Sequence, residues 1–249
     1  MRLRSYRLRQ GETRLLIKAD VAGVLDPIRT AIIRARAELL AHIERCPEFR
    51  WSLEPIDKPA GNVSWFISEM YDAARLASVG PFAAVAGAMA EVAARCAVER
   101  GANDVIVENG GDISLHGDGP FIIGIWAGDS PLSGKLGLKV NPAGSYAGLC
   151  TSSATVGESV SFGEADAVAI YSPSSAIMAD AAATSVCNEV RGKDGLERGI
   201  GKAKVIGGIG VLIVRGKEMV AWGNLPEVVG LTTGEADLIA NPQVHSRAD

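Results

Sequence analysis

Residues 5–19, YRLRQGETRLLIKAD, alternate apolar and polar side chains on both sides of Gln10-Gly11-Glu12, the period-2 signature of two strands joined by a turn. The period then changes. Ile28, Ile32, Ala35, Leu39 and Ile43 recur at helical spacing with Arg and Glu between them. Asp26-Pro27 predicts the start of this helix, a capping side chain followed by a ring already at helical φ, and Pro47 predicts its end. Gly61-Asn62 precede a second helix over about 63–78. A third, PFAAVAGAMAEVAARCAVERG, carries almost only small residues on one side, a surface that a backbone or a ligand can approach closely; Gly101 ends it.

Strand, turn and strand come next in DVIVENGGDISLHG, and FIIGIWAG continues the sheet between turns at Gly119-Pro120 and Asp129-Ser130-Pro131. Strand signals recur at 146–151 and 166–172. Ser172-Pro173-Ser174 introduces the helix SAIMADAAATSVCNEV, and GVLIVRG with KEMVAWG forms a hairpin around Gly216-Lys217. This mixture predicts one α+β domain over residues 1–225, an antiparallel sheet with packed helices. Residues 226–249 are polar and read as a peripheral tail.

Composition narrows the class of function. The 249 residues are 47% hydrophobic and only 5% aromatic, with 29 glycines, which is a globular rather than a disordered chain. A net charge of −4 argues against a nucleic-acid partner, since phosphate backbones call for a basic face. The opening MRLRSYRLR lacks the apolar stretch of a signal peptide, and no apolar run reaches the roughly 18 residues of a membrane span. The expectation is a cytoplasmic protein with a small-molecule ligand and no membrane partner, open to forming a homo-oligomer. Cys46, Cys96, Cys150 and Cys187 contain no CxxC pair and read as reduced packing thiols, with Cys150 set apart by the hydroxyl-rich residues directly after it.

Three stretches hold chemistry. Asp180 is the one acidic residue within a small, apolar helical run, and Thr184 lies one turn further on the same face. Stacked carboxylate and hydroxyl oxygens suit Mg²⁺ or Ca²⁺, although a solvent-facing Asp is the plain alternative. GLCTSSATVG places Thr151, Ser152 and Ser153 in a hydroxyl-rich loop able to cradle a phosphate, with the Cys150 thiol leading into it beside N–H donors that could lower its pKa. Finally, VENGGDISL sets two glycines between charged residues, as a hairpin turn or as a place of close ligand approach.

The order of these pieces resembles the ApbE family, flavin transferases that take FMN from FAD and attach it to a protein threonine. That family has a small-residue helix, an Asn-x-Gly-Gly-Asp-Ile turn, a Thr-Ser loop and an Ala-Asp-Ala-x-Ala-Thr helix. In this chain VGPFAAVAGAMAEVA, NGGDI, TSSAT and ADAAAT succeed one another over residues 75–190. The resemblance implies an ApbE-like, T-fold-like domain that binds FAD with Mg²⁺. Asn109, Gly110, Gly111 and Asp112 would lie against the flavin nucleotide. Asp180 and Thr184 would offer side-chain oxygens to the metal, with the carbonyls of Val85 and Ala183. The chain departs from the family where Ala86 takes the place of a lysine, and where VGESVSFGEADAVAIYSP replaces a histidine-bearing segment, leaving Asp180 as the evident base. It is most similar to a small bacterial and archaeal branch associated with sulfur assimilation. Two other classes stand beside this one: thiol-based sulfur transfer through Cys150, with Cys187 near it, and a non-catalytic scaffold or dimer module.

Overall fold

The computed structural model describes residues 3–153, 163–232 and 236–240. Strand β1 (Arg4–Gln10) turns at Gly11 into β2 (Thr13–Ala19), paired antiparallel from Arg4↔Ala19 to Gln10↔Thr13. Helices α1 (Leu25–Arg45), the single turn α2 (Glu48–Trp51) and α3 (Trp65–Ala77) come after it. A 3₁₀ turn at Pro81–Ala84 then runs into α4 (Val85–Glu99). Six strands come next: β3 (Val105–Asn109), β4 (Asp112–His116), β5 (Phe121–Ile125), β6 (Leu136–Val140), β7 (Tyr146–Ser152) and β8 (Ala167–Ser172). Helices α5 (Ala176–Glu189) and α6 (Gly195–Ile206) lead to β9 (Gly210–Arg215), β10 (Glu218–Gly223), β11 (Glu227–Gly230) and β12 (Leu238–Ala240).

The strands form two sheets. An eight-stranded sheet runs β1-β2-β3-β4-β7-β8-β9-β10 with every neighbouring pair antiparallel, and a four-stranded sheet runs β11-β6-β5-β12. The large sheet is the middle layer. On one face Ile17, Val105 and Val107 pack under α1, α3 and α4, while Val168, Ile170 and Ile213 pack under α5 and α6. On the other face Ile113, Leu115, Leu149 and Leu212 meet Ile123, Ile125, Leu138 and Val140 of the small sheet. Both faces of the central strands are therefore dry. This explains why residues 105–107 of β3, 167–170 of β8 and 211–214 of β9 are apolar without alternation.

The mixed helix and antiparallel sheet is as expected, with five differences of detail. FIIGIWAG does not extend the main sheet; as β5 it pairs with β6 in the second one. Residues 226–249 are not simply a peripheral tail, because β11 pairs with β6 and β12 runs parallel to β5, with Leu238 buried between the sheets. Helix α1 starts one residue before Asp26, which caps nothing with its side chain; buried Val24 and the packing of Leu25 fix the start instead. Its buried stripe is Ile28, Ile32, Ala35, Leu39 and His42, since steps of four and three return the stripe to 42, and Ile43 is only partly covered. His42 is satisfied there by the Tyr71 hydroxyl at 2.9 Å. Lastly, the run Pro81–Glu99 is long and apolar enough by composition to cross a membrane, contrary to the sequence expectation, yet 67% of its apolar window is buried within the protein. It is apolar because helices and sheet surround it.

Candidate functional site

The NGGD stretch is a two-residue hairpin tip. β3 and β4 pair up to Asn109↔Asp112, and Gly110 and Gly111 close the turn at φ +67° and +101°, a region that only glycine enters without strain. The turn is tied down on three sides. Gly111 N–H donates to the Glu108 carboxylate at 2.9 Å. Thr151 donates to the Gly111 carbonyl through its N–H at 3.2 Å and its hydroxyl at 3.0 Å. The Asn109 side-chain amide donates to the Ala86 carbonyl at 3.0 Å while its oxygen accepts the Arg14 N–H at 3.3 Å. Gly110 itself faces open space: a Cβ built there meets nothing within 4 Å.

Behind the turn, α4 and α5 hold each other at their starts. Asp180 of α5 accepts the Gly87 N–H at 2.8 Å, and the Ala86 N–H also acts on this carboxylate, so two free donors of the first turn of α4 are met from the neighbouring helix. Glu91 of α4 returns the arrangement. Its Oε2 accepts the Ala176 N–H and the Ser175 hydroxyl, both at 2.9 Å, while Ser175 caps α5 by accepting from Ile177 and Met178. Glu91 Oε1 takes two bonds from Arg95, at 2.7 and 3.0 Å, and the guanidinium is held between the rings of Trp65 and Tyr146. The helices approach this closely only because residue 87 is glycine. A Cβ there would lie 2.4 Å from the Ala176 carbonyl oxygen.

Two acids at this end of the fold, Asp112 and Asp180, resist ionisation. Burial, followed by the nearby Asp180, pushes Asp112 well above the usual carboxylate range. Burial lifts Asp180 to about 7 against the opposing pull of the Gly87 and Ala86 N–H groups. An acid whose folded pKa is raised favours the fold while protonated, and that contribution fades as pH climbs from its unfolded value, near 4, through its folded one. In EDTA the urea midpoint should therefore fall between about pH 5 and about pH 7.5, and Asp180→Asn should flatten that slope. A wild-type midpoint constant over this window would contradict the assignment.

The thiol reading does not survive. Cys150 is fully buried under α5, its Sγ donating to the Ala176 carbonyl at 3.3 Å, and burial, then Asp112 and Asp180, raise its pKa well above the ordinary thiol value. Strand alternation would turn one of Leu149 and Cys150 toward a cleft only if one face of the sheet were wet. Leu149 packs on the small sheet and Cys150 on the helices, so neither is exposed. Cys187 is buried as well. Iodoacetamide at pH 7 should label Cys46, which is partly exposed, well before Cys150 or Cys187, as peptide mass spectrometry would show. Fast labelling of Cys150 in the native protein would restore it as a working thiol.

The other residues singled out in the sequence gather at one end of the large sheet. Asn109, Gly110, Gly111 and Asp112 form the turn, and Thr151 lies against it. Ser152 and Ser153 continue from β7, both buried, while the remainder of the TSSAT loop lies outside the described residues. Asp180 is mostly buried and Thr184 half-buried on α5. The carbonyls of Val85 and Ala183, each in a helix, keep a second lone pair beyond their helical bond. Sequence reasoning missed two residues, Glu91 and Glu108. Glu91 is an acid in the middle of an alanine-rich helix, the same signal that marks Asp180. Among the described residues no group of three or more His, Cys, Asp or Glu side chains is arranged to hold a metal. Any cation here would rely on Asp180, backbone carbonyls, hydroxyls and water. Asp112 presents an unmet acceptor here, because its Oδ1 is buried with no hydrogen-bond partner.

A family model described as AbpE bacteria matches residues 1–205. Curated relatives include a UPF0280 protein of Methanothrix thermoacetophila, 39% identical over 226 residues that cover 91% of this chain and 94% of the relative. Another, from Methanocaldococcus jannaschii, is 42% identical over 224 residues, covering 88% and 90%. Among solved structures, the H257G mutant of flavin transferase ApbE from Vibrio cholerae superposes with a TM-score of 0.59 at 15% identity, over 89% of this chain and 97% of that one. Pseudomonas stutzeri flavinyl transferase ApbE in its apo form gives 0.56 at 11%, over 88% and 94%. The fold is thus the ApbE fold, and by its family model and relatives the chain is a member of the UPF0280, ApbE-like family.

Proposed function

We propose that the end of the sheet formed by the NGGD turn, Thr151 and the start of α4 binds a flavin dinucleotide together with a divalent cation. The observation that carries this reading is the open, side-chain-free backbone at Gly110 beside the buried Asp112 and Asp180 carboxylates. A ligand can lie directly on that backbone, and an anionic diphosphate beside two carboxylates needs a cation between them. The likeness in fold to flavin transferases of known structure supports the flavin nucleotide among such ligands. Asp180, Thr184 and the carbonyls of Val85 and Ala183 would hold Mg²⁺, which when bound neutralises charge on the diphosphate. The chain's own part is positional: Asn109 pins the turn to α4, Thr151 pins it to β7, and Asp180 stays aligned by two N–H groups.

Titrating FAD into the purified protein, monitored by its fluorescence, should show binding that weakens about tenfold or more when EDTA replaces Mg²⁺. Asp180→Ala should lose the metal-dependent part, and Gly110→Val should weaken binding by filling the open space. Equal FAD affinity with and without EDTA, in wild type and Asp180→Ala alike, would reject the reading. Transfer of FMN to a protein threonine is the finer proposal for the same cleft. Release of AMP from FAD in the presence of a threonine-bearing acceptor protein tests it.

A further inference from the structure

We propose that Asp112 is itself a ligand of the divalent cation, bridging the hairpin turn to α5, so that the turn and the metal helix form one site rather than two neighbouring ones. This rests on the reading that a divalent cation sits at Asp180. The family resemblance places Asp112 against the nucleotide and gives it no part in metal binding.

Two independent chains of contact bring the two carboxylates near each other, close enough for Asp180 to act on Asp112. Through the sheet, Asp112 stands directly across from Cys150, whose thiol touches the Ala176 carbonyl, and Asp180 lies one helical turn beyond Ala176 on the same face of α5. Through α4, the cross-strand partner of Asp112 is Asn109, whose amide holds the Ala86 carbonyl, and the N–H groups of Ala86 and Gly87 converge on Asp180. Both side chains lie on the helix-covered face of the large sheet. Neither takes part in an ion pair among the described residues.

The partners available to the two acids differ. Asp180 has donors of its own at the start of α4. Asp112 is 8% exposed and its Oδ1 has no partner at all, although the carboxyl group also faces the Cys150 thiol and the Thr151 N–H. A buried oxygen with no donor, beside a second carboxylate, is stable only if something positive or a proton stands between them. A water molecule alone would satisfy the hydrogen bond and leave any negative charge uncompensated, and a proton would remove the charge without tying the turn to α5. A hard divalent cation satisfies both, and it accepts an all-oxygen shell completed by the Thr184 hydroxyl, carbonyls and water. The partial charge of the α4 start and the cation would then share the carboxylates, Asp180 joining the two.

Mn²⁺ alone, without nucleotide, is the probe. Its binding to wild type and to Asp112→Asn is counted from the electron paramagnetic resonance signal of the free ion. The expected result is a loss of about tenfold or more in Mn²⁺ affinity for Asp112→Asn, with the far-UV circular dichroism spectrum of the variant unchanged. Unchanged Mn²⁺ affinity in Asp112→Asn overturns the proposal. So does a wild type that binds FAD but no Mn²⁺ alone, a result that leaves flavin binding intact; a wild type that binds Mn²⁺ but not FAD removes the flavin reading and keeps this one. A second measurement needs no variant. Fe²⁺ at the site, with ascorbate and peroxide, cleaves the backbone near its ligands. Cuts at both 110–113 and around 180 support the shared site, and cuts around 180 alone refute it.

Discussion

Replacing Glu91 by alanine is expected to lower folding stability by about 3 kcal/mol or more, the range for removing one partner of a buried charged network. The carboxylate is fully buried and its four bonds serve three structures at once: the first N–H of α5, the capping hydroxyl of Ser175, and Arg95. Alanine would leave the Ala176 N–H without its partner and free Ser175 to turn away from its cap. The Arg95 side chain is 36% exposed and keeps its place between Trp65 and Tyr146, so part of its charge can return to water and moderates the loss. Glu91→Gln, which retains one acceptor oxygen, should lose roughly half as much. Urea midpoints read both. A loss below about 1 kcal/mol for alanine would mean that water replaces the carboxylate without strain.

Gly87→Ala opposes two effects of known size. In an isolated helix the change gains about 1 kcal/mol, because glycine is the poorer helix former. In this fold the new Cβ would stand 2.4 Å from the Ala176 carbonyl oxygen, 2.9 Å from its carbon, and 2.9 Å from the Asp180 Cβ. Two of these are backbone atoms of a helix whose start is pinned by Glu91, so α4 and α5 must move apart. Overpacking of this kind costs about 1–3 kcal/mol, occasionally more. Steric strain wins, and separation also lengthens the Gly87–Asp180 bond. The variant should melt several degrees lower and bind Mn²⁺ more weakly; equal or raised thermal stability would show that the helices are free to slide.

Much of this architecture was legible in the chain. The hairpin at 4–19 shows period 2 on both sides of a glycine turn, the one at 210–223 sets two apolar runs around Gly216, and the glycines of NGGD announce positive φ. What stayed hidden has physical causes. Parity could not orient Leu149 and Cys150, because a strand buried on both faces has no wet side for alternation to mark. Strands β11 and β12 span only four and three residues, too short for any period to register, and their partners lie about 90 residues or more away in sequence. Helix α6 passed unread since GLERGIGKAKVI spreads its glycines through a modest apolar stripe. For the site, spacing sets Asp180 and Thr184 four residues apart on one helix, yet no local pattern can reveal that Asp180 closes the start of another helix. That contact joins residues 93 positions apart.

The late strands of the small sheet bear on how the chain is made. Synthesis proceeds from the N-terminus, and β5 and β6 can pair as a hairpin once residue 140 has left the ribosome. Both edges of that hairpin then stay open until residues 227–240 emerge, since β11 covers one edge and β12 the other. At roughly 5–20 residues per second, some 90 residues amount to about 5–20 seconds with unpaired strand edges and an apolar face only partly capped. Leu238, which seals that face, is among the last described residues to arrive. A holding chaperone would therefore meet this protein at Phe121–Val140, on the side of the sheet opposite the cleft, and release it only when the final strands dock.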